Sequence, residues 1–120
     1  MRKRALDRIL VELPGGASQR QHHELGAFVR FCVFRLEREF GELRWLVRVQ
    51  PANGNFACFV AVNDRNCIVE SRGGGFDGTL AIWEALSNVE QGLRESRAIR
   101  HEEQDQANHA IAWDALTKKA

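Results

Sequence analysis

The residues whose spacing best suits metal binding lie near the C-terminus. His101, Asp105 and His109 are each four residues apart, so they share one face if residues 98–117 form a helix. Imidazole and carboxylate groups on one helical face can bind zinc or a related metal ion. A solvated polar face gives the same pattern and is far more common. We therefore expect no metal site and no cofactor.

The three cysteines are the candidates for nucleophilic catalysis. Cys32, Cys58 and Cys67 all lie inside apolar segments, and the sequence places no base beside any of them. Their odd number does not suit a disulfide framework, whereas buried reduced thiols are typical of a cytoplasmic protein. We therefore predict a cytoplasmic protein that is not an enzyme.

The glycines at 73–75 precede Asp77, whose side chain can cap the start of a helix. A glycine-rich turn before a helix can bind phosphate, but the Lys-Ser/Thr pair that normally follows is missing here. The simpler interpretation is a flexible link between a strand and a helix. With no catalytic motif, the function must be one of binding.

Length and charge limit the class of protein. A chain of 120 residues forms one domain, and no apolar run is long enough to span a membrane. Asp7, Arg8 and Glu12 interrupt the N-terminal apolar segment, so we expect that it is not a signal peptide. The net charge is only +1, unlike most nucleic-acid binders. Residues 1–50 nevertheless hold ten basic and six acidic residues, so the positive surplus lies in the first half.

Hydrophobic periodicity and turn signals predict six elements in the order β-α-β-β-β-α. The expected elements are a strand over 5–13, a helix from Ser18 to Phe40, strands over 42–50, 55–63 and 66–72, and a helix from Asp77. This is an α+β fold with a four-stranded mixed sheet and both helices packed on one face. We expect one domain over residues 1–97. Residues 98–120 form a C-terminal helical extension or a tail.

Two tight turns predict the register of the sheet. Asn53-Gly54 indicates a two-residue hairpin, which places Trp45, Val47 and Val49 opposite Val62, Val60 and Cys58. A second two-residue turn at Asp64-Arg65 places Cys67 and Val69 opposite Val62 and Val60. All eight side chains then share one sheet face, which both helices would cover.

Both helices resemble those of the ribosome hibernation-promoting factor family. The matching positions are Leu25, Phe28, Val29, Arg35, Leu36, Glu37, Arg38 and Phe40 in the first helix, and Asp77, Ala81, Ile82, Ala85, Leu86, Leu93, Arg94 and Arg97 in the second. The resemblance covers about residues 6–97. It implies the same β-α-β-β-β-α fold, and helices that contact the ribosomal RNA of the small subunit. The implied function is to inhibit translation or stabilise idle ribosomes by steric occupancy.

Six arginines are the expected RNA-binding residues: Arg30, Arg35, Arg38, Arg94, Arg97 and Arg100. Phosphate contacts supply most of the non-specific affinity for nucleic acid, so these side chains would form a phosphate-facing patch. The alternative is a solvated helix face in which Glu37, Glu39 and Glu90 pair with the arginines. Cys32 and Asn88 stand where the family usually has lysine, and Glu95 falls within its basic ending.

The chain also departs from the family at Phe31 and Phe34, where polar or acidic residues are usual. These aromatics point away from the predicted core stripe. The alternative function is therefore a protein–protein or dimerisation module without RNA binding, whose interface is formed by Phe31, Phe34, Phe59 and Trp113. A second copy or a cover within the chain is preferred over stacking on unpaired bases, because stacking aromatics usually lie on a sheet.

Overall fold

The six elements follow one another in the predicted order. The computed structural model describes the backbone of residues 8–118 and the side chains of residues 8–101. The elements are β1 (Ile9–Glu12), α1 (Gln19–Phe40), β2 (Arg44–Ala52), β3 (Asn55–Asp64), β4 (Cys67–Gly75) and α2 (Gly78–Lys118). The sheet order is β1-β2-β3-β4, in which β1 and β2 are parallel and the other pairs antiparallel. The predicted α+β fold is confirmed.

The bounds of α1 follow from its capping residues. The Oγ atom of Ser18 accepts a hydrogen bond from the backbone N–H of Gln21 at 3.2 Å, and the Gln21 side chain accepts one from the Ser18 backbone at 2.9 Å. This capping box satisfies two backbone donors that a helix start leaves unpaired. Gly41 ends the helix with φ of 82°, a conformation that a residue with a side chain rarely adopts.

One face of the sheet packs on both helices. Trp45, Val47 and Val49 pair with Val62, Val60 and Cys58, as the Asn53-Gly54 turn predicts. Ile9 of β1 and Leu43 before β2 also belong to the core. The helices contribute Val29, Cys32, Val33, Leu36 and Phe40 from α1 and Ala81, Ile82, Ala85, Leu86, Val89 and Leu93 from α2. Burial of this apolar surface is the main favourable contribution to folding.

The predicted register of the second hairpin is wrong by two residues. Asp64 pairs with Cys67 and Val62 with Val69, so the turn consists of Arg65 and Asn66. Both turn residues have positive φ, 54° and 72°, and the Asn63 side chain accepts a hydrogen bond from the Asn66 backbone at 2.8 Å. Because the shift is an even number of residues, Val69 keeps its predicted face.

The predicted glycine-rich link is a strand. Gly73, Gly74 and Gly75 pair with Cys58, Ala57 and Phe56 and form the end of β4. A Cβ atom on Gly73 would lie 2.3 Å from the backbone nitrogen of Ala85. The glycines therefore allow the backbone of α2 to approach the sheet directly, and they do not form a phosphate-binding turn.

This close approach decides which face of α2 is buried. Ala81 and Ala85 are small enough to lie against the strand and are fully buried, whereas Leu80 and Trp83 are 40% and 43% exposed. Asp77 caps the helix as predicted, because its Oδ1 atom accepts a hydrogen bond from the Leu80 backbone at 2.8 Å.

The second helix continues without a break to Lys118. The proposed boundary at residue 97 stays a prediction, since side chains beyond His101 are not described. Trp113 and the metal-ligand candidates Asp105 and His109 therefore lie outside the described side chains. None of the helices in the described part of the chain is both long enough and apolar enough to cross a membrane.

Candidate nucleic-acid interface

One side of α1 carries aromatic and basic residues away from the core. Arg30, Phe31, Phe34, Arg35 and Arg38 fall within an arc of about 140° at about 100° per residue, opposite the buried stripe. We call these five residues the α1 outer face. Phe31 is 64% exposed and Phe34 47% exposed. Exposed aromatics beside guanidinium groups are typical of a surface that binds a partner.

The three arginines of the α1 outer face form no ion pair with any residue whose side chain is described. The guanidinium carbon of Arg35 lies 5.0 Å from the centroid of the Trp83 ring, a contact that keeps its positive charge. Arg30 folds back over Gly26, where a Cβ atom would lie 3.6 Å from its Nη1 atom. These charges remain available to an anionic partner.

Glu37, which the sequence offered as a partner for the arginines, is occupied elsewhere. Its side chain is only 7% exposed and accepts hydrogen bonds from Arg8 Nη2 at 2.9 Å, the Leu43 backbone at 3.0 Å and Trp45 Nε1 at 3.1 Å. This carboxylate links the last turns of α1 to the sheet. Glu37, one of the positions at which the first helix fits the family pattern, thus has a structural role.

Arg94, one of the predicted RNA-binding residues, forms ion pairs within the chain. Arg94 donates two hydrogen bonds to Glu39, at 2.9 and 2.7 Å, and lies 2.6 Å from a Glu90 oxygen. The hydrogen bond from Arg94 is the largest cause that lowers the pKa of the Glu39 carboxyl below its ordinary value. All three groups are near the surface, so the pairs are weak, but they neutralise the charge of Arg94.

Arg97 and Arg100 are held by one buried carboxylate. Arg97 donates to both oxygens of Asp64, at 2.9 and 3.0 Å, and to the carbonyl oxygen of Phe40 at 2.7 Å. Arg100 donates to the Asp64 carboxylate and, at 3.2 Å, to the Asp64 carbonyl oxygen. Asp64 is fully buried, and the hydrogen bond from Arg97 is the main cause that lowers its pKa. The structure therefore separates the six predicted arginines into an uncompensated set on α1 and a paired set on α2.

Phe59, a predicted interface residue, lies on the sheet face that the helices leave open. Two guanidinium groups flank its ring, Arg48 at 6.0 Å and Arg72 at 5.7 Å from the centroid. Glu12 pairs with Arg48 at 2.7 Å. Phe59 is half-buried, whereas Leu10 and Ile68 on the same face are 58% and 62% exposed.

A polar groove lies at the C-terminal end of α1. It has a volume of about 840 Å³, and its lining includes Arg8, Arg44, Arg65 and Arg97 together with Glu42, whose carboxylate lies 3.9 Å from Arg8. Arg44 and Arg65 have no ion pair among the described side chains, and sequence reasoning did not select them. The sequence signal that could have identified them is that Arg44 points outward from a predicted strand and Arg65 lies in a predicted turn. The groove extends the region of uncompensated positive charge beyond α1.

The environment of the cysteines does not favour nucleophilic chemistry. Burial raises the pKa of the Cys58 thiol to about 12 and also raises the pKa of Cys32, so both stay protonated at neutral pH. The Sγ atom of Cys67 lies 3.3 Å from the Ser96 hydroxyl. Within the described residues, no three His, Cys, Asp or Glu side chains converge as metal ligands.

Known proteins resemble this chain in fold. No protein family and no curated protein matches it by sequence. The crystal structure of the Thermus thermophilus Protein Y N-terminal domain superposes with a TM-score of 0.58 and 19% identity, over 69% of this chain and 91% of that one. A ribosomal subunit interface protein from Coxiella burnetii gives a TM-score of 0.61 and 12% identity, over 75% of this chain and 97% of that one. The resemblance drawn from the two helices is thus confirmed in the fold.

Proposed function

We propose that this protein is a ribosome-associated factor that contacts the RNA of the small subunit. It inhibits translation or stabilises idle ribosomes by occupying space, with no chemical step. The fold shared with Protein Y and a ribosomal subunit interface protein supports the choice of partner. The observation that carries the RNA contact is the presence on the α1 outer face of three arginines that have no ion pair with any described side chain. The proposed partner is the ribosome, and the proposed location is therefore the cytoplasm.

In this proposal the α1 outer face binds the phosphate backbone. Arg35 and Arg38 are exposed and flank Phe31 and Phe34, and Arg30 lies beside them. Guanidinium groups bind phosphate oxygens in a fixed two-pronged geometry. Arg44 and Arg65 extend the contact into the groove at the end of α1.

A net charge near zero is compatible with this role because the charges are not evenly distributed. Arg94, Arg97 and Arg100 are compensated by carboxylates, so they add little positive potential to the surface. We expect them to contribute less to RNA binding than Arg35 and Arg38. An ion pair would first have to break before any of the three could bind a phosphate.

Co-sedimentation of the purified protein with small ribosomal subunits across a salt series tests the proposal. We expect pelleting that weakens steeply as salt rises, because each phosphate contact releases counterions. The double variant Arg35→Gln, Arg38→Gln should lose most of the binding. The matched control is Arg48→Gln, Arg94→Gln, which removes the same charge from residues that are paired with Glu12 and Glu39.

The control should bind nearly as wild type. Equal loss in both double variants would mean that only net charge matters and would contradict the assignment to α1. Absence of pelleting by the wild type at low salt would rule out the ribosomal function.

A second candidate function is supported by the exposure of Phe31 and Phe34, namely a protein-interaction or dimerisation module. It predicts a dimer that the double variant Phe31→Glu, Phe34→Glu converts to a monomer. Sedimentation equilibrium measures this directly. A wild-type protein that is monomeric at high concentration would exclude the homodimer.

A further inference from the structure

Two adjacent aromatic rings, Phe31 and Phe34, remain exposed on α1, whereas the other large apolar residues of that helix are buried or partly buried. Phe31 and Phe34 are three residues apart, so they are neighbours on the helix surface with Cβ atoms about 5–6 Å apart. Among the described residues, the one ring contact to either of them is from Arg8, whose guanidinium carbon is 5.7 Å from the Phe34 centroid. The rings offer flat apolar surfaces to a partner.

The charges around the rings argue against a second copy of this chain. A symmetric dimer places the same patch on both sides of the interface. Among the described residues the three arginines of the α1 outer face have no ion pair, and the acidic residue in the same arc of α1, Glu24, already pairs with Arg20 at 3.1 Å. Two such faces would bring six guanidinium groups together with no unpaired carboxylate between them, and like charges at an interface are strongly unfavourable.

The occupant that fits both features has negative charge at its edge and flat apolar surfaces at its centre. Unpaired nucleotides have this chemistry, since every base has a face that stacks on an aromatic ring and every linkage carries a phosphate. A duplex offers its phosphates but keeps its bases stacked inside. Arg30, Arg35 and Arg38 surround the two rings on the helix surface, so the phosphates on either side of a stacked base would lie beside them.

We infer that the α1 outer face binds unpaired nucleotides, with Phe31 and Phe34 stacked on bases while Arg30, Arg35 and Arg38 bind the flanking phosphates. This inference rests on the proposed RNA contact and specifies which form of RNA is bound. It assigns a role to the two aromatics that distinguish this helix from the family it resembles.

Fluorescence anisotropy at low salt tests the inference with a labelled single-stranded adenosine oligonucleotide of about ten nucleotides, within the site sizes known for such surfaces. The comparison probe has the same length and phosphates but abasic sugars at alternate positions. We expect the intact strand to bind about tenfold more tightly or better, as one stacked base contributes. The double variant Phe31→Ser, Phe34→Ser should bind both probes equally.

The matched control is Phe76→Ser, which removes a ring that is 73% exposed but lies outside the α1 outer face. It should keep the preference for intact bases. The double variant Arg35→Gln, Arg38→Gln should weaken binding of both probes. Because all these side chains are exposed, far-ultraviolet circular dichroism should be unchanged in every variant.

Equal affinity of the wild type for the intact and abasic strands would overturn the inference and leave the phosphate contact intact. Ribosome pelleting without binding to either oligonucleotide would also overturn it while keeping the proposed function. Displacement of the intact strand by polyglutamate as readily as by unlabelled RNA would overturn the inference in favour of an acidic protein partner. Failure of both pelleting and oligonucleotide binding would overturn the proposed function as well.

Discussion

Arg97 donates two hydrogen bonds to the Asp64 carboxylate, at 2.9 and 3.0 Å, and a third to the Phe40 carbonyl oxygen at 2.7 Å. The side chain thereby joins three elements: α2, the end of β3 and the last turn of α1. An arginine in the basic ending of the second helix thus has a structural role in this chain, and its partner is 33 residues away in the sequence.

Replacing Asp64 with alanine should therefore destabilise the fold. The substitution leaves two guanidinium groups without their buried partner, which costs about 3–5 kcal/mol when the remaining charges are fully buried. The side chains of Arg97 and Arg100 are 33% exposed, so solvent screens part of this cost and we expect about 2 kcal/mol. Urea unfolding at pH 7 measures it. Glu12→Ala, which breaks an exposed pair, is the control and should cost under about 1 kcal/mol.

The same cluster should make stability depend on pH. Arg97 and Arg100 lower the pKa of Asp64 in the folded state below its ordinary value of 3.8. A lowered folded-state pKa stabilises the fold above the ordinary value, and the contribution is lost as the pH falls from about 3.8 through the folded-state pKa. The difference in unfolding free energy between wild type and Asp64→Asn should be largest at neutral pH. A difference that stays constant down to pH 2 would contradict this role.

Gly73→Ala should be among the most destabilising substitutions at any glycine. Its Cβ atom would lie 2.3 Å from the Ala85 nitrogen and 2.8 Å from the Ala81 carbonyl oxygen, so the backbone of α2 must move away from the sheet. We expect a loss of about 3 kcal/mol or more, at the upper end of overpacking effects. Thermal unfolding is the measurement. At Gly74 the added Cβ meets one atom, the Phe56 carbonyl oxygen at 3.6 Å, so Gly74→Ala should stay within about 1 kcal/mol of wild type.

Gly26→Ala should stabilise the protein. The added Cβ would make an ordinary contact with Arg30 at 3.6 Å, and alanine is favoured over glycine inside a helix by about 0.5–1 kcal/mol. Denaturant unfolding should show a higher midpoint with an unchanged slope. Gly41→Ala is the opposite control, since φ of 82° there strains a residue with a Cβ atom. A loss of stability at Gly26 would indicate that Arg30 needs the open space.

The salt dependence of ribosome binding should reveal how many phosphates α1 contacts. Each contact to single-stranded nucleic acid contributes about 0.7 to the slope of log affinity against log salt. Arg35→Gln with Arg38→Gln should therefore reduce that slope by about 1.4. The Arg48→Gln, Arg94→Gln control should leave it nearly unchanged, because those arginines are already paired. Equal slopes in all three proteins would exclude a phosphate contact by α1.

The fold was predictable because its signals are local. The capping box at Ser18, the Asn53-Gly54 turn and the alternation of Trp45, Val47 and Val49 each act over a few residues. The register of the second hairpin was mispredicted because Asp64-Arg65 and Arg65-Asn66 are both plausible turns by residue type. Only the bond from Asn66 to the Asn63 side chain, together with the positive φ values, decides between them.

The candidate site was predictable only in part, because ion pairs depend on tertiary structure. The three arginines of α1 and the three of α2 look alike in sequence. They differ in the structure because Asp64 and Glu39 reach only the second set. Arg44 and Arg65 were missed for the same reason, since the groove that they share forms only when β2 and the β3–β4 turn meet the end of α1.

The uneven pairing of charges makes this nearly neutral molecule electrically polar. Among the described residues, positive charge without an ion pair lies on α1 and at its C-terminal end, whereas Glu84 and Glu95, two carboxylates that have no ion pair there either, lie on α2. Such a separation of charge is an electric dipole. The field of a large polyanion exerts a torque on a dipole even when the net attractive force on the molecule is small. The protein should therefore turn its first helix towards the anion before contact, so that salt slows productive encounters more than the net charge of +1 alone would suggest.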